Sequence, residues 1–214
     1  MPVTDVRRLI LVSLLMVLIA GCQGTDVPPA PPATAESPAA APATKRVVGP
    51  LSEADAKALE AMNERLKSYL DIHKKLEAGL PELPTDPTPE QIDKNQRLFE
   101  QKMRAARKSA KRGEIFIPEA EPVIKRLLAA VFTTAAGKEL MASIMDEYPG
   151  GLKLSVNGRY PDAIPVSTVP PEILQTLPRL PEDMEYRFIG RHLILLDTHA
   201  HVIADFIADA VPRV

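Results

Sequence analysis

The chain has 214 residues, 45% hydrophobic and 25% charged, which is enough apolar material for one globular core. Its 26 basic and 28 acidic residues leave a net charge of -2, and aromatic residues make up only 4% with no Trp, so neither a nucleic-acid partner nor a ring-stacking surface is expected. The single cysteine excludes an intramolecular disulfide.

At the N-terminus Arg7 and Arg8 precede an apolar run from Leu9 to Ala20. That run is shorter than the ~20 residues of a spanning helix and suits the core of an export signal. The small residues Ala20 and Gly21 then lead into Cys22. The segment Leu18, Ile19, Ala20, Gly21, Cys22 resembles the lipobox of bacterial lipoproteins, with Ile19 where the family often has Leu. The resemblance covers the first 22 residues. It implies that residues 1–21 are a signal peptide, that Cys22 carries a diacylglyceryl group on its thiol, and that its new amino terminus is acylated after cleavage. Several acyl chains turn marginal binding into stable anchoring, since each buried methylene contributes ~0.8 kcal/mol. The expected partner through Cys22 is therefore a membrane of the bacterial cell envelope. Gln23 stands where an Asp would resemble an inner-membrane retention signal, which favours the periplasmic face of the outer membrane.

Residues 22–50 read as the lipidated cysteine and a Pro/Ala-rich tether. The stretch from Val27 to Thr44 has no apolar period and almost no charge, so it cannot bury enough surface to offset ordering entropy. At its proline density the tether tends to polyproline II and reaches at most ~90 Å.

A folded domain is predicted over residues 51–214, helical over 51–148 and sheet-forming over 152–214. Ser52 and Asp55 form a capping box for a first helix. Its seam is Leu59, Met62, Leu66, Tyr69, His73, Leu76 and Leu80, in alternating steps of three and four. Gly79 and Pro81 end it. His73 is expected as a half-buried residue with a hydrogen-bonded neighbour, because no second His or Cys lies one turn away. A second helix starts at Thr88, Pro89 and Gln91 and carries the seam Ile92, Gln96, Phe99, Met103, Ala106 and Ala110. The two seams and their short proline connector predict an antiparallel helical hairpin. Arg104, Arg107, Lys108, Lys111 and Arg112 crowd the end of this helix. They either offset its dipole on a solvated face or form a patch for anionic headgroups or cell-wall polymer.

A third helix is predicted around Ile124, Leu127, Leu128, Val131 and Phe132. Gly137 breaks the pattern, and a fourth helix carries Leu140, Met141, Ile144, Met145 and Tyr148. The period then becomes two: Leu152, Leu154 and Val156 alternate with polar residues as a strand. A proline-rich crossing from Tyr160 to Pro181 leads to strands over 185–189, 192–197 and 202–207. Gly190 and Arg191 form a tight hairpin turn with Gly first. The strand from His192 to Leu196 is apolar on both faces and is placed centrally, covered by helices. The fold class expected is thus α+β: N-terminal helices including an antiparallel hairpin, then a small antiparallel sheet. This C-terminal part also resembles uncharacterised exported bacterial proteins of unknown activity.

Asp197, Thr198, His199, Ala200 and His201 resemble the Asp-x-His-x-His strand end of amidohydrolases and related metal-dependent deoxyribonucleases. There the histidines bind a divalent metal inside a barrel of ~250 residues. Here 13 residues follow His201, too few for the remaining strands. With a third ligand drawn from Asp197, His192 or Asp205, a metal-dependent hydrolase using His199 and His201 is the alternative reading. The preferred one is a polar hairpin turn in which Asp197 and Thr198 bond the backbone. No catalytic, cofactor-binding or metal-ligating residue is assigned, and Cys22 is the one site residue, for lipidation. The expected protein is a membrane-anchored envelope lipoprotein, a non-catalytic binding or structural module with an envelope-protein or cell-wall partner.

Overall fold

Two capping boxes start the two long helices. Ser52 accepts from the Asp55 amide while Asp55 returns a bond to the Ser52 amide, opening α1 at Glu53–Glu77. Thr88 and Gln91 do the same for α2, Pro89–Ala106, with Pro89 in the first turn. The computed structural model describes residues 50–148, 150–162, 164 and 169–213. The expected signal peptide, Cys22 and the expected tether through residue 49 lie outside the described residues. The rest comprises α3 (Glu121–Phe132), α4 (Ala135–Asp146), α5 (Pro171–Thr176) and a three-stranded antiparallel sheet. Its strands are β1 (Met184–Ile189), β2 (His192–Asp197) and β3 (Val202–Ile207), in the order β1-β2-β3. The class is α+β.

The α1–α2 hairpin is antiparallel. Asn95 Nδ2 donates to the Pro81 carbonyl, Phe99 meets His73 and the Arg107 guanidinium lies over the Tyr69 ring, so rising numbers in α2 meet falling numbers in α1. The seam of α1 is buried at Leu59, Met62, Leu66, Tyr69 and His73, and only partly at Leu76 and Leu80. That of α2 is narrower than expected: Phe99 and Met103 are buried, whereas Ile92 is 48% exposed. The helix also stops at Ala106, short of Ala110, because Arg107 takes the cap position and turns inward.

The break between α3 and α4 falls at Thr133 and Thr134, not at Gly137. Thr134 caps α4 by accepting from the Gly137 amide. Gly137 is required by proximity: a Cβ there would stand 2.0 Å from the Val131 carbonyl oxygen. Helix α4 is peripheral, with Leu140, Met141 and Ile144 partly buried and Met145 exposed. The proline-rich crossing contains α5, which sequence reasoning reads as connector; Pro171 occupies its first turn, where a missing N–H costs nothing. Among the described residues no single helix is long and apolar enough to cross a membrane.

The strand expected at residues 152–156 does not form. Its alternation appears only as partial burial of Leu152 and Leu154 against the sheet. Pairing begins later: the Asn157 amide donates to Ile203, the Ile203 amide to Gly158 and the Tyr160 amide to His201, with a bridge between Arg159 and Val202. Residues 157–160 thereby cover the outer edge of β3. No strand pairs with the outer edge of β1 among the described residues. Strand β2 is central, as expected, and buried on both faces. Leu193 and Leu195 face the helices together with Met184, Tyr186 and Val202. Ile194 and Leu196 face a second cluster with Tyr160, Ile164 and Ile203, so this face is covered by irregular chain rather than by a helix.

Candidate functional site

Tyr69, His73 and Glu77 follow one another in steps of four on α1, so they form a single stripe. Strand alternation places Asp197, at the end of β2, on the same helix-covered face as Leu193 and Leu195. Stripe and strand end meet. Oδ2 of Asp197 accepts from the Tyr69 hydroxyl at 2.6 Å and lies 2.7 Å from Nδ1 of His73. Asp197 and His73 are wholly buried and Tyr69 nearly so. A carboxylate only accepts, so Nδ1 of His73 carries a proton, and Nε2 is the ring nitrogen left to take a second proton or a metal ion.

That Nε2 is buried and has no hydrogen-bond partner. It faces the carboxylates of Glu77 at 3.7 Å and Asp183 at 3.9 Å. His199, from the β2–β3 turn, lies beside them with Nδ1 2.9 Å from Glu77 Oε1. Phe99 of α2 stands edge-on to both imidazoles, its ring centre 4.8 Å from each. One ligand atom from each of His73, Glu77 and His199 lies within 4.8 Å of the other two. Donors bound to zinc at ~2.0–2.2 Å stand roughly 3.3–3.6 Å apart around a tetrahedral centre, so this group would close by about an ångström. The side chains that would move, Glu77 and His199, are 40% and 39% exposed.

The electrostatics favour a cation here. Burial opposes a charge on His73, but the hydrogen bond and charge of Asp197, with Asp183 and Glu77, outweigh it and hold the imidazole above its ordinary value. Surroundings that favour a proton on Nε2 also favour a metal ion competing for the same lone pair. Burial, followed by the charge and hydrogen bond of Asp197, pushes the Tyr69 hydroxyl well up, so Tyr69 remains a donor to that carboxylate.

The five residues that sequence reasoning singled out part company. The turn forms as expected: Asp197 Oδ1 accepts from the Ala200 amide at 2.8 Å, and the Thr198 amide and hydroxyl both donate to the Asp183 carbonyl. The turn does not put His199 and His201 on one ligand set. His201 adopts a left-handed backbone with φ 55° and packs against the Tyr160 ring, with Asp162 3.7 Å from its Nε2. His192 is at the opposite end of β2, where Nδ1 accepts from the Asp209 amide. Asp205 is a buried staple that accepts from the amides of Gly113, Ile115, Phe116 and Phe206. Only Asp197 and His199 reach the site.

His73 and Glu77 complete it, and their local signal was a His with an acidic residue at i+4 on one helix face. A search for a second His or Cys one turn away overlooks the carboxylate. His73 is also fully rather than half buried. The basic cluster is partly consumed by the fold. Arg104 pairs with Glu100, and Arg107 is buried, donating to the Ala204 carbonyl and to Glu114. Compared with family models, curated proteins and solved structures, the chain matches none.

Proposed function

We propose that the protein is a lipid-anchored envelope lipoprotein whose folded domain is a non-catalytic module that binds a divalent transition-metal ion through His73, Glu77 and His199. The observation that carries the metal reading is the buried Nε2 of His73, which lacks a hydrogen bond yet faces two carboxylates and a second imidazole. A buried polar atom left without a partner is costly, and a metal ion would satisfy it. Two imidazoles and a carboxylate suit zinc and its neighbours better than calcium or magnesium, which prefer all-oxygen shells. The lipobox resemblance at Cys22 supports the anchor, and the Pro/Ala-rich tether would let the domain stand away from the periplasmic face of the outer membrane.

Full-length protein purified in detergent, stripped with chelator and titrated with Zn²⁺, should bind one equivalent, and His73→Ala should lose it. Absence of one-to-one binding in the wild type would refute the metal reading. Independently, Cys22→Ala should abolish lipid labelling and release the protein from membranes; continued membrane fractionation would refute the anchor.

A second reading has specific support. Two histidines and one glutamate with an exposed side are the ligand set of catalytic zinc sites. The hydrolase alternative thus survives in altered form, with His73 and Glu77 in place of His201. Hydrolysis of a chromogenic ester by zinc-loaded protein, lost in His73→Ala, would favour it over the binding module.

A further inference from the structure

Resting on that metal reading, we infer that Asp197, its charge moderated by Tyr69, is the positioning residue that sets the site's affinity by fixing the tautomer and orientation of His73. Metal-binding histidines commonly donate their second ring N–H to a carboxylate, which orients the ring and makes the ligand nitrogen more basic. Here this outer shell is in place. Asp197 Oδ2 lies 2.7 Å from Nδ1 of His73, which leaves Nε2 facing Glu77 at 3.7 Å and Asp183 at 3.9 Å, beside the His199 ring. The carboxylate cannot turn away. Its other oxygen accepts from the Ala200 amide at 2.8 Å, and the Tyr69 hydroxyl holds Oδ2 at 2.6 Å. Ala200 adjoins His199, so one carboxylate fixes His73 directly and the turn that carries His199. The acceptor is therefore shared: Tyr69 takes part of the negative charge that would otherwise act on His73 alone.

The test measures Zn²⁺ affinity and the Co²⁺ absorption spectrum of full-length protein in detergent, for wild type, Asp197→Asn and Tyr69→Phe, with melting curves to verify folding. Folded Asp197→Asn should bind Zn²⁺ about 10- to 100-fold more weakly, with altered Co²⁺ bands. Tyr69→Phe should bind a few-fold more tightly, since Asp197 then acts on His73 alone. If wild type binds no metal, the metal reading fails and this inference with it. Wild-type binding with unchanged affinity and spectrum in folded Asp197→Asn overturns this inference and leaves the metal reading standing. Should Asp197→Asn not fold, Tyr69→Phe decides: tighter binding with a shifted spectrum supports the role, and wild-type or weaker affinity overturns it.

Discussion

His73 and Asp197 are 124 residues apart in the chain and 2.7 Å apart in the fold. Their contact joins the C-terminal part of α1 to the end of the central strand, so the candidate site exists only when helices and sheet have docked. Neither half holds it alone. The same contact would connect the proposed metal binding to stability, because an ion bound on α1 and on the β2–β3 turn would stabilise the docked state by mass action.

His199 and His201 should therefore behave differently, although only Ala200 separates them. In denaturant melts with excess Zn²⁺, the wild type should be stabilised relative to a chelator-treated sample. His199→Ala should lose that difference, and His201→Ala should keep it. Equal loss in both variants would show that the turn binds metal through the two histidines together, contrary to the geometry.

Asp205 should be a stability residue with no effect on metal. It accepts from four backbone amides, at Gly113, Ile115, Phe116 and Phe206, and burial pushes its carboxyl above the ordinary range against the pull of those donors. Asp205→Ala leaves several buried N–H groups unpaired at ~1–3 kcal/mol each, so the loss should reach about 3 kcal/mol. Denaturant unfolding measures it, and Zn²⁺ stoichiometry of the surviving folded protein should be unchanged.

Gly137→Ala offers a test in which helix propensity and packing oppose each other. Alanine favours a helix by ~1 kcal/mol over glycine. The added carbon, however, would meet backbone at Val131 and Phe132, which cannot rotate aside. Overpacking of this kind costs ~1–3 kcal/mol, so the variant should melt below wild type. A higher melting temperature would show that α4 is free to shift away from α3.

Acid sensitivity should trace in part to His192. Burial lowers its affinity for a proton, as do Arg191 and Arg112, while Asp209 works the other way. Its Nδ1 also accepts from the Asp209 amide, which requires that nitrogen to be unprotonated. With the folded value below the unfolded value of ~6.5, the folded state binds fewer protons in that window. The stability contribution is complete above ~6.5 and is lost as pH falls through the window beneath it. Unfolding free energies from pH 7 to 5 should fall less steeply in His192→Gln than in wild type; parallel curves would remove His192 as the cause.

The legible parts of this fold are those fixed locally. Capping boxes at Ser52 and Thr88 need four residues each, and the alternation from Met184 to Ile207 needs only strand period and a Gly190 turn, so these elements fall where sequence places them. The errors arise where tertiary context decides. Leu152 and Leu154 alternate with polar residues, but partners for the chain become available only at 157–160 beside β3. Ile92 has the right spacing for the α2 seam yet lies where no element covers it. Half of the site was visible, since Asp197 and His199 stand in a conspicuous motif. Its other half was not, because nothing local says that His73 and Glu77 will face that turn. Nor does the motif say that the left-handed backbone at His201 sends that side chain elsewhere.

Among the described residues no strand pairs with the outer edge of β1, which would matter most for molecules held side by side. Strand edges with free backbone donors and acceptors are templates for pairing, and confinement to a bilayer surface would multiply such encounters. This strand is six residues long, and Glu185 and Arg187, paired with one another, put charge on it. Any second edge approaching in register would have to strip water from that pair before the first inter-chain ladder bond could close. If neighbouring molecules are tethered as proposed, this half-buried pair would act as a spacer between them and disfavour fusion of their sheets into filaments.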